Sequence, residues 1–193
     1  DFCSVEKEYA IELKQVTKKF NQFTANDNIT FDVKEGEIYA IAGENGAGKT
    51  TLMNMIYGLY TPTSGEILIH GEPVRFSSSR DSIQKGIGMV HQHFMLVSKL
   101  TVLENIIAGQ ETGTALRLDK KEARRQIVEL SGQYGLKIDP DSLVGELSVA
   151  MQQKVEILKV LYRKAQILIF DEPTAVLTQQ EINEFCEILL KLK

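Results

Sequence analysis

No stretch of this 193-residue sequence approaches the roughly 18 consecutive apolar residues needed to cross a bilayer as a helix, so any role at a membrane is performed from its side. Cysteine is nearly missing. Cys3 and Cys186 lie far apart and outside any CxxC setting, which reads as two free thiols in a reducing compartment rather than a disulfide framework. No block of like charge occurs, and a formal net charge of −4 disfavours nonspecific nucleic-acid binding, which needs Lys and Arg to neutralise phosphates. The opening residues lack the charged-then-apolar pattern of a secretory signal, and there is no internal repeat or low-complexity linker. The chain opens on Asp1 rather than Met and stops at Lys193 inside an amphipathic pattern, as expected of a fragment truncated at its C-terminus.

What is present is the composition of an ordinary globular protein, 43 % hydrophobic and 25 % charged, in a chain long enough for one sizeable core. Ile11, Leu13 and Val16 of "IELKQVTKKF" suggest a half-buried edge strand. "ITFDVKEGEIYAIAG" reads as two strands joined at Lys34–Gly36, the second of which, Ile38–Ala42, is nearly all apolar, as a strand covered on both faces should be. A helix from Lys49 is expected to bury Leu52, Met53, Ile56 and Leu59, with Gly58 near its end. A hairpin centred on His70-Gly71-Glu72, a short helix ending near Gly86 and the strand "IGMVHQ" follow. From about 94 to 163 the texture is helical. Asp119 is a plausible N-cap, Ala123, Ile127, Leu130 and Tyr134 share one face, and a further helix should run from Ser148 to about Arg163. The buried strand "ILIFD" comes next. Strands alternating with helices predict an α/β fold with a mainly parallel sheet, and the helical block reads as a subdomain inserted in one domain spanning 1–193.

Chemistry concentrates in two places. "GENGAGKTT", Gly43 to Thr51, matches G-x-x-x-x-G-K-[ST] and lies after an expected strand and before an expected helix. The glycines Gly43, Gly46 and Gly48 let the backbone curl so that the loop's N–H groups, those of Asn45 and Ala47 among them, face a phosphate chain, and the helix N-terminus adds its positive end. Lys49 would reach the β- and γ-phosphates, and Thr50, followed by Thr51, would ligate Mg²⁺. "ILIFDEPT" carries Asp171 and Glu172 to a strand end, where Asp171 would hold hydrated Mg²⁺ and Glu172 would polarise an attacking water. Gln92, closing "IGMVHQ", could contact both Mg²⁺ and that water. His91 and His93 flank it without a third ligand in evidence, and His70 reads as a turn residue.

Gly43–Thr51, Gln92, Leu147–Gln153 and Ile167–Thr174, in that order, resemble the P-loop, Q-loop, signature and Walker B elements of the ATP-binding subunit of an ABC transporter, over nearly the whole chain. "LSVAMQQKVEILK" and "DEPTAVLT" are similar to the first half of the tandem ATPases of sugar and nucleoside importers. "HGEPVRFSSSRDSIQKGIGMVHQHFMLVSKLTVLENI" is close to the nucleoside branch. The resemblance implies a P-loop core with an N-terminal antiparallel β subdomain and an inserted helical subdomain. It also implies ATP and Mg²⁺ as ligands, ATP hydrolysis that drives solute import, and a peripheral place on the cytoplasmic face of the membrane. Implied partners are permease subunits touched by Val97–Ile107, a second ATPase domain within the same polypeptide, and an extracytoplasmic solute-binding protein indirectly. No nucleic-acid partner is expected. Phe20 matches the aromatic that stacks on adenine, and Ser148, Ala150 and Gln152 match signature positions that act in trans on ATP held by the opposite domain.

The sequence also departs from the family pattern. Ala150 stands where the family has glycine, Met151 is atypical, and Ala175–Thr178 lacks the usual acid. Glycine at 150 would permit close approach to phosphate, so Ala150 is expected to weaken closure over the partner's ATP. The family's switch histidine is not found at His70, His91 or His93, so the expectation is that this stretch binds Mg-ATP but turns it over poorly. Two other readings stay open: a soluble ABC ATPase acting on ribosomes or DNA, and a non-hydrolysing regulatory half.

Overall fold

A computed structural model describes residues 9–91, 95–108 and 120–193, and the chain divides into two compact units between Ile87 and Gly88, with Lys193 grouped with the first. Gln92, His93, Cys3 and the proposed cap Asp119 lie outside the described residues.

The first unit is built on a four-stranded antiparallel sheet in the order β2-β1-β3-β4, from β1 (Tyr9–Phe20), β2 (Phe23–Lys34), β3 (Ser64–Ile69) and β4 (Glu72–Val74). This is the antiparallel β subdomain expected at the N-terminus. β1 is interior rather than an edge strand, because it pairs with β2 on one side and β3 on the other. Its ladder is irregular where the chain passes through Gln15, whose φ is 52°, and Gln15 N–H then finds the Thr30 hydroxyl at 2.9 Å in place of a regular ladder partner. Opposite the irregularity, Gly65 sits at φ 85°, and a Cβ there would lie 2.3 Å from the Gln15 carbonyl oxygen. The β3–β4 hairpin turns at His70 and Gly71, both with positive φ (49° and 75°), as a tight two-residue turn requires.

Helix α1 (Lys49–Ile56) buries Leu52, Met55 and Ile56. Met55 replaces the expected Met53, and Leu59 is 50 % exposed, because the helix ends at Tyr57 and the chain leaves the 3.6-residue repeat before Leu59. Helix α2 (Ser79–Gln84) starts in a capping box formed by Ser78 and Asp81, whose carboxylate accepts from Ser77 and is held below its ordinary pKa mainly by those hydrogen bonds.

A further expectation fails. Ile38–Ala42 forms no strand, and Ile38 and Tyr39 are each 47 % exposed. No described strand runs beside this segment to exchange hydrogen bonds with it, and the Tyr39 ring stacks instead on Phe31, at 5.1 Å and 5°. An apolar run records a preference for burial but does not name the neighbour that supplies it.

In the second unit, β5 (Ile87–Val90) pairs with β6 (Ile167–Phe170), the only other sheet among the described residues. Around it stand α3 (Val102–Ile107), α4 (Lys120–Gln133), α5 (Val149–Tyr162) and α6 (Gln179–Leu192). Val102, Ile106, Ile127, Leu136, Val155 and Leu158 form a continuous buried cluster, with Phe185 of α6 meeting Phe170 edge to face at 5.4 Å. Thr101 caps α3 through a box with Glu104. The helix expected from Ser148 to about Arg163 is α5, with those two residues as its caps.

Gly65→Ala should destabilise the intact protein by about 1–3 kcal/mol, since the left-handed backbone disfavours any side chain and the methyl meets a backbone oxygen. Urea unfolding measures it.

Candidate functional site

In the first unit, the chain enters α1 through a loop that its glycines make possible. Gly46 and Gly48 have φ of 84° and 86°, and Ala47 N–H closes a turn onto the Glu44 carbonyl at 3.1 Å. Gly48 is the N-cap of α1, and its carbonyl accepts the first helical bond, from Leu52 N–H at 2.9 Å. A Cβ on Gly48 would lie 2.3 Å from the Ala25 carbonyl oxygen, so β2 passes directly against the loop and excludes every other residue type. No side chain caps α1 and its first turn carries no acid, which leaves the positive end of the helix to an anion from outside.

The Lys49 ammonium bends back over the loop, donating to the carbonyls of Gly43 at 2.7 Å and Glu44 at 2.8 Å. The structure therefore brings Gly43, Gly46, Ala47, Gly48 and Lys49 into one concave turn, with Thr50 and Thr51 opening the helix. A pocket of about 310 Å³ lies beside it, lined among others by Asn26, Phe31, Tyr39, Ile41, Gly48 and Lys49. Phe20 closes β1, is 40 % exposed and meets Tyr60 edge to face at 5.4 Å, while Lys18 Nζ stands 5.0 Å from the Phe20 centroid. Phe20 is thus partly exposed, with Lys18 over its ring and Tyr60 against it edge to face.

The second unit carries the acids. Asp171 follows β6, is buried, and its N–H donates to the Val90 carbonyl at 3.2 Å. Glu172 has φ 48°, a conformation that a non-glycine residue holds at a cost of about 1–3 kcal/mol unless its surroundings over-determine it. The turn that holds it is closed by Ala175 N–H on the Glu172 carbonyl at 3.3 Å. Backbone strain therefore sits on the residue with the most demanding expected role.

The stretch Leu147–Gln153 is a capped helix start. Ser148 Oγ accepts from Met151 N–H at 3.3 Å, and Gln152 Nε2 donates to the Leu147 carbonyl at 3.0 Å. Ala150 lies within α5 and has no positive φ, so the backbone imposes no glycine at that position. Gln153, one residue beyond the motif core, is buried and donates to the Pro173 carbonyl at 2.7 Å, tying α5 to the turn after Glu172.

Three buried polar residues of the second unit received no individual role from the sequence: Gln153 and Asn105, inside the Leu147–Gln153 and Val97–Ile107 segments, and Glu156. Glu156 accepts from Met95 N–H at 2.9 Å, and Lys159 donates to the Met95 carbonyl at 3.3 Å. Burial lowers the Lys159 pKa, with the Glu156 charge opposing that shift. Asn105 grips the same segment, accepting from Val97 N–H at 2.7 Å and donating to the Val97 carbonyl at 3.0 Å. The signal was available as polar side chains on the buried faces of amphipathic helices. Among the described residues no cluster of His, Cys, Asp and Glu could hold a metal by itself, and no helix is long and apolar enough to cross a membrane.

Comparison with known proteins agrees with the family that the motifs resemble. The family described as ABC transporter matches residues 26–175. The chain is 54 % identical to the guanosine import ATP-binding protein NupO of Bacillus subtilis, over 96 % of this chain and 36 % of that protein. It is 52 % identical to the nucleoside import ATP-binding protein NupA of Lactococcus lactis, over 96 % of this chain and 37 % of that protein. It thus spans just over a third of the length of these relatives. Among solved structures it is similar to cbiO1 of Clostridium perfringens, part of the ABC transporter complex cbiONQ, with a TM-score of 0.82, 27 % identity, and coverage of 96 % of this chain and 74 % of that one.

Two outcomes follow from this geometry. Ala150→Gly should lower stability by about 0.5–1 kcal/mol, the usual helix cost of glycine, in a thermal unfolding measurement. Glu156→Ala, which strands Met95 N–H and removes the charge beside Lys159, should cost about 1–3 kcal/mol in urea unfolding, and Glu156→Gln less, because it keeps an acceptor.

Proposed function

We propose that this chain, which belongs to the ABC transporter family, binds Mg-ATP but turns it over poorly by itself, and that the intact protein hydrolyses Mg-ATP to energise import of a nucleoside through a membrane permease. The observation that carries the reading is the loop at Gly43–Thr51: a glycine-turned backbone at an uncapped helix N-terminus, with Lys49 poised over it, is built for a polyphosphate. Similarity to the nucleoside importers NupO and NupA favours the nucleoside branch over sugars, and similarity to cbiO1, part of the cbiONQ complex, supports assembly with other transporter components.

In this reading the purine stacks on the partly exposed Phe20 ring, and the loop amides and Lys49 hold the β- and γ-phosphates. Thr50 and the buried Asp171 supply hard oxygen donors of the kind Mg²⁺ prefers, and Gln92 would contact the same ion. When bound, Mg²⁺ neutralises charge developing on the phosphates. Glu172, turned out of the strand direction by its positive φ, orients a water for in-line attack on the γ-phosphate. Ser148, Ala150 and Gln152 at the start of α5 would face the nucleotide held by a second ATPase domain. The exposed hydroxyl and helix N-terminus there suit a phosphate. The second domain belongs to the remainder of a longer polypeptide, the permease is touched through the Val97–Ile107 segment, and the whole sits on the cytoplasmic face of the membrane.

The reading predicts a split between binding and turnover in the intact protein. Glu172→Gln should keep Mg-ATP affinity within about twofold while slowing hydrolysis by about 10²-fold or more, the usual contribution of a general base. Lys49→Ala should abolish measurable Mg-ATP binding. Unchanged hydrolysis by Glu172→Gln would remove its assigned role, and full affinity in Lys49→Ala would remove the phosphate site.

A further inference from the structure

Asn26 is a buried amide near the start of β2, 6 % exposed, on a wall of the pocket otherwise formed largely by apolar side chains such as Ile29, Ile41 and Leu52. Its Nδ2 donates to the Gly48 carbonyl at 3.2 Å. The same carbonyl accepts from Leu52 N–H at 2.9 Å, so both of its lone pairs are engaged. A carbonyl held from two directions fixes the plane of the Gly48–Lys49 peptide. In a trans peptide the N–H points opposite to the C=O, so the Lys49 amide is aimed away from β2 and out of the loop. The arrangement works only with glycine at 48, because a Cβ there would stand 2.9 Å from Asn26 Nδ2 and still closer to the Ala25 carbonyl.

The other end of the side chain shows that the amide is not there for stability alone. Asn26 Oδ1 is buried and has no hydrogen-bond partner among the described residues. An unpaired buried acceptor is destabilising, and an aliphatic residue would fill an apolar strand position without that penalty.

We propose that Asn26 is a positioning residue for phosphate recognition: by holding the Gly48 carbonyl, it directs the Lys49 N–H at the phosphate chain of the bound nucleotide. The inference rests on the reading of the loop as an ATP site and adds a residue from outside the loop to that site. Asn26 touches no ligand in this scheme. Its effect passes through one peptide plane, so it bears on the phosphates and leaves base recognition at Phe20 alone.

The test compares the unaltered intact protein with Asn26→Leu and Asn26→Ala, measuring unfolding temperature, affinity for Mg-ATP and for magnesium tripolyphosphate, and selectivity for ATP over CTP. Asn26→Leu should unfold at the same temperature or higher, yet bind Mg-ATP and tripolyphosphate roughly three- to tenfold more weakly, the worth of one directed hydrogen bond. The ATP-to-CTP ratio should not move. If Asn26→Leu fails to fold well, Asn26→Ala decides by the same ratios. Unchanged affinity in both variants overturns the proposal, and so does a loss of affinity that merely tracks a fall in unfolding temperature or shifts base selectivity equally. Absence of Mg-ATP binding by the unaltered protein would instead overturn the functional reading on which the inference stands.

Discussion

The close approach of β2 to Gly48 is the contact on which the candidate site depends. A loop rich in glycine has many conformations, and fixing one costs backbone entropy that the loop's own hydrogen bonds do not cover. The cost is met from outside the loop. The Ala25 backbone lies against Gly48, Asn26 donates to its carbonyl, and Leu52 and Met55 anchor the following helix in the core of the first unit. The left-handed φ at Gly48 and the start of α1 are then two aspects of one constraint, since the residue that lets β2 approach also aims the helix.

The second unit solves a similar problem with polar bolts. The capped start of α5 is held in place by the fully buried Val155, Ile157 and Leu158 of the same helix. Gln153 then joins that helix to the turn bearing Glu172, and Glu156 with Lys159 joins it to the backbone of Met95. Side chains one and two turns apart on a single helix therefore locate the segment at Met95 and the segment following Glu172. Satisfied buried polar contacts of this kind specify an arrangement more sharply than apolar packing does.

Much of this was legible from residues alone, wherever a local rule suffices. The loop, the caps of α5 at Ser148 and Arg163, the β3–β4 turn at His70-Gly71 and the half-buried strand leading into Asp171 each follow from short-range chemistry: positive φ at glycine, a hydroxyl before an apolar repeat, four apolar residues before an acid. What escaped depends on partners distant in sequence. Ile38–Ala42 carries the composition of a covered strand but has no described neighbour to pair with, and Leu59 continues an apolar repeat past the end of its helix. Asn26 reads as one polar residue in an alternating strand. Only the fold, by bringing position 48 against it across 22 residues of chain, shows that its amide has a target. Ala150 illustrates the converse. The family pattern marks it as a departure, yet the backbone there is ordinary helix and accepts alanine without strain.

Amide hydrogen exchange in the intact protein, with and without a non-hydrolysable Mg-ATP analogue, tests the central claim most directly. The account predicts slowed exchange on nucleotide binding across Asn45–Thr51, where loop amides gain phosphate acceptors, together with Asp171 and Glu172. Exchange in the Gly43–Thr51 loop that is unaltered under saturating nucleotide would contradict it.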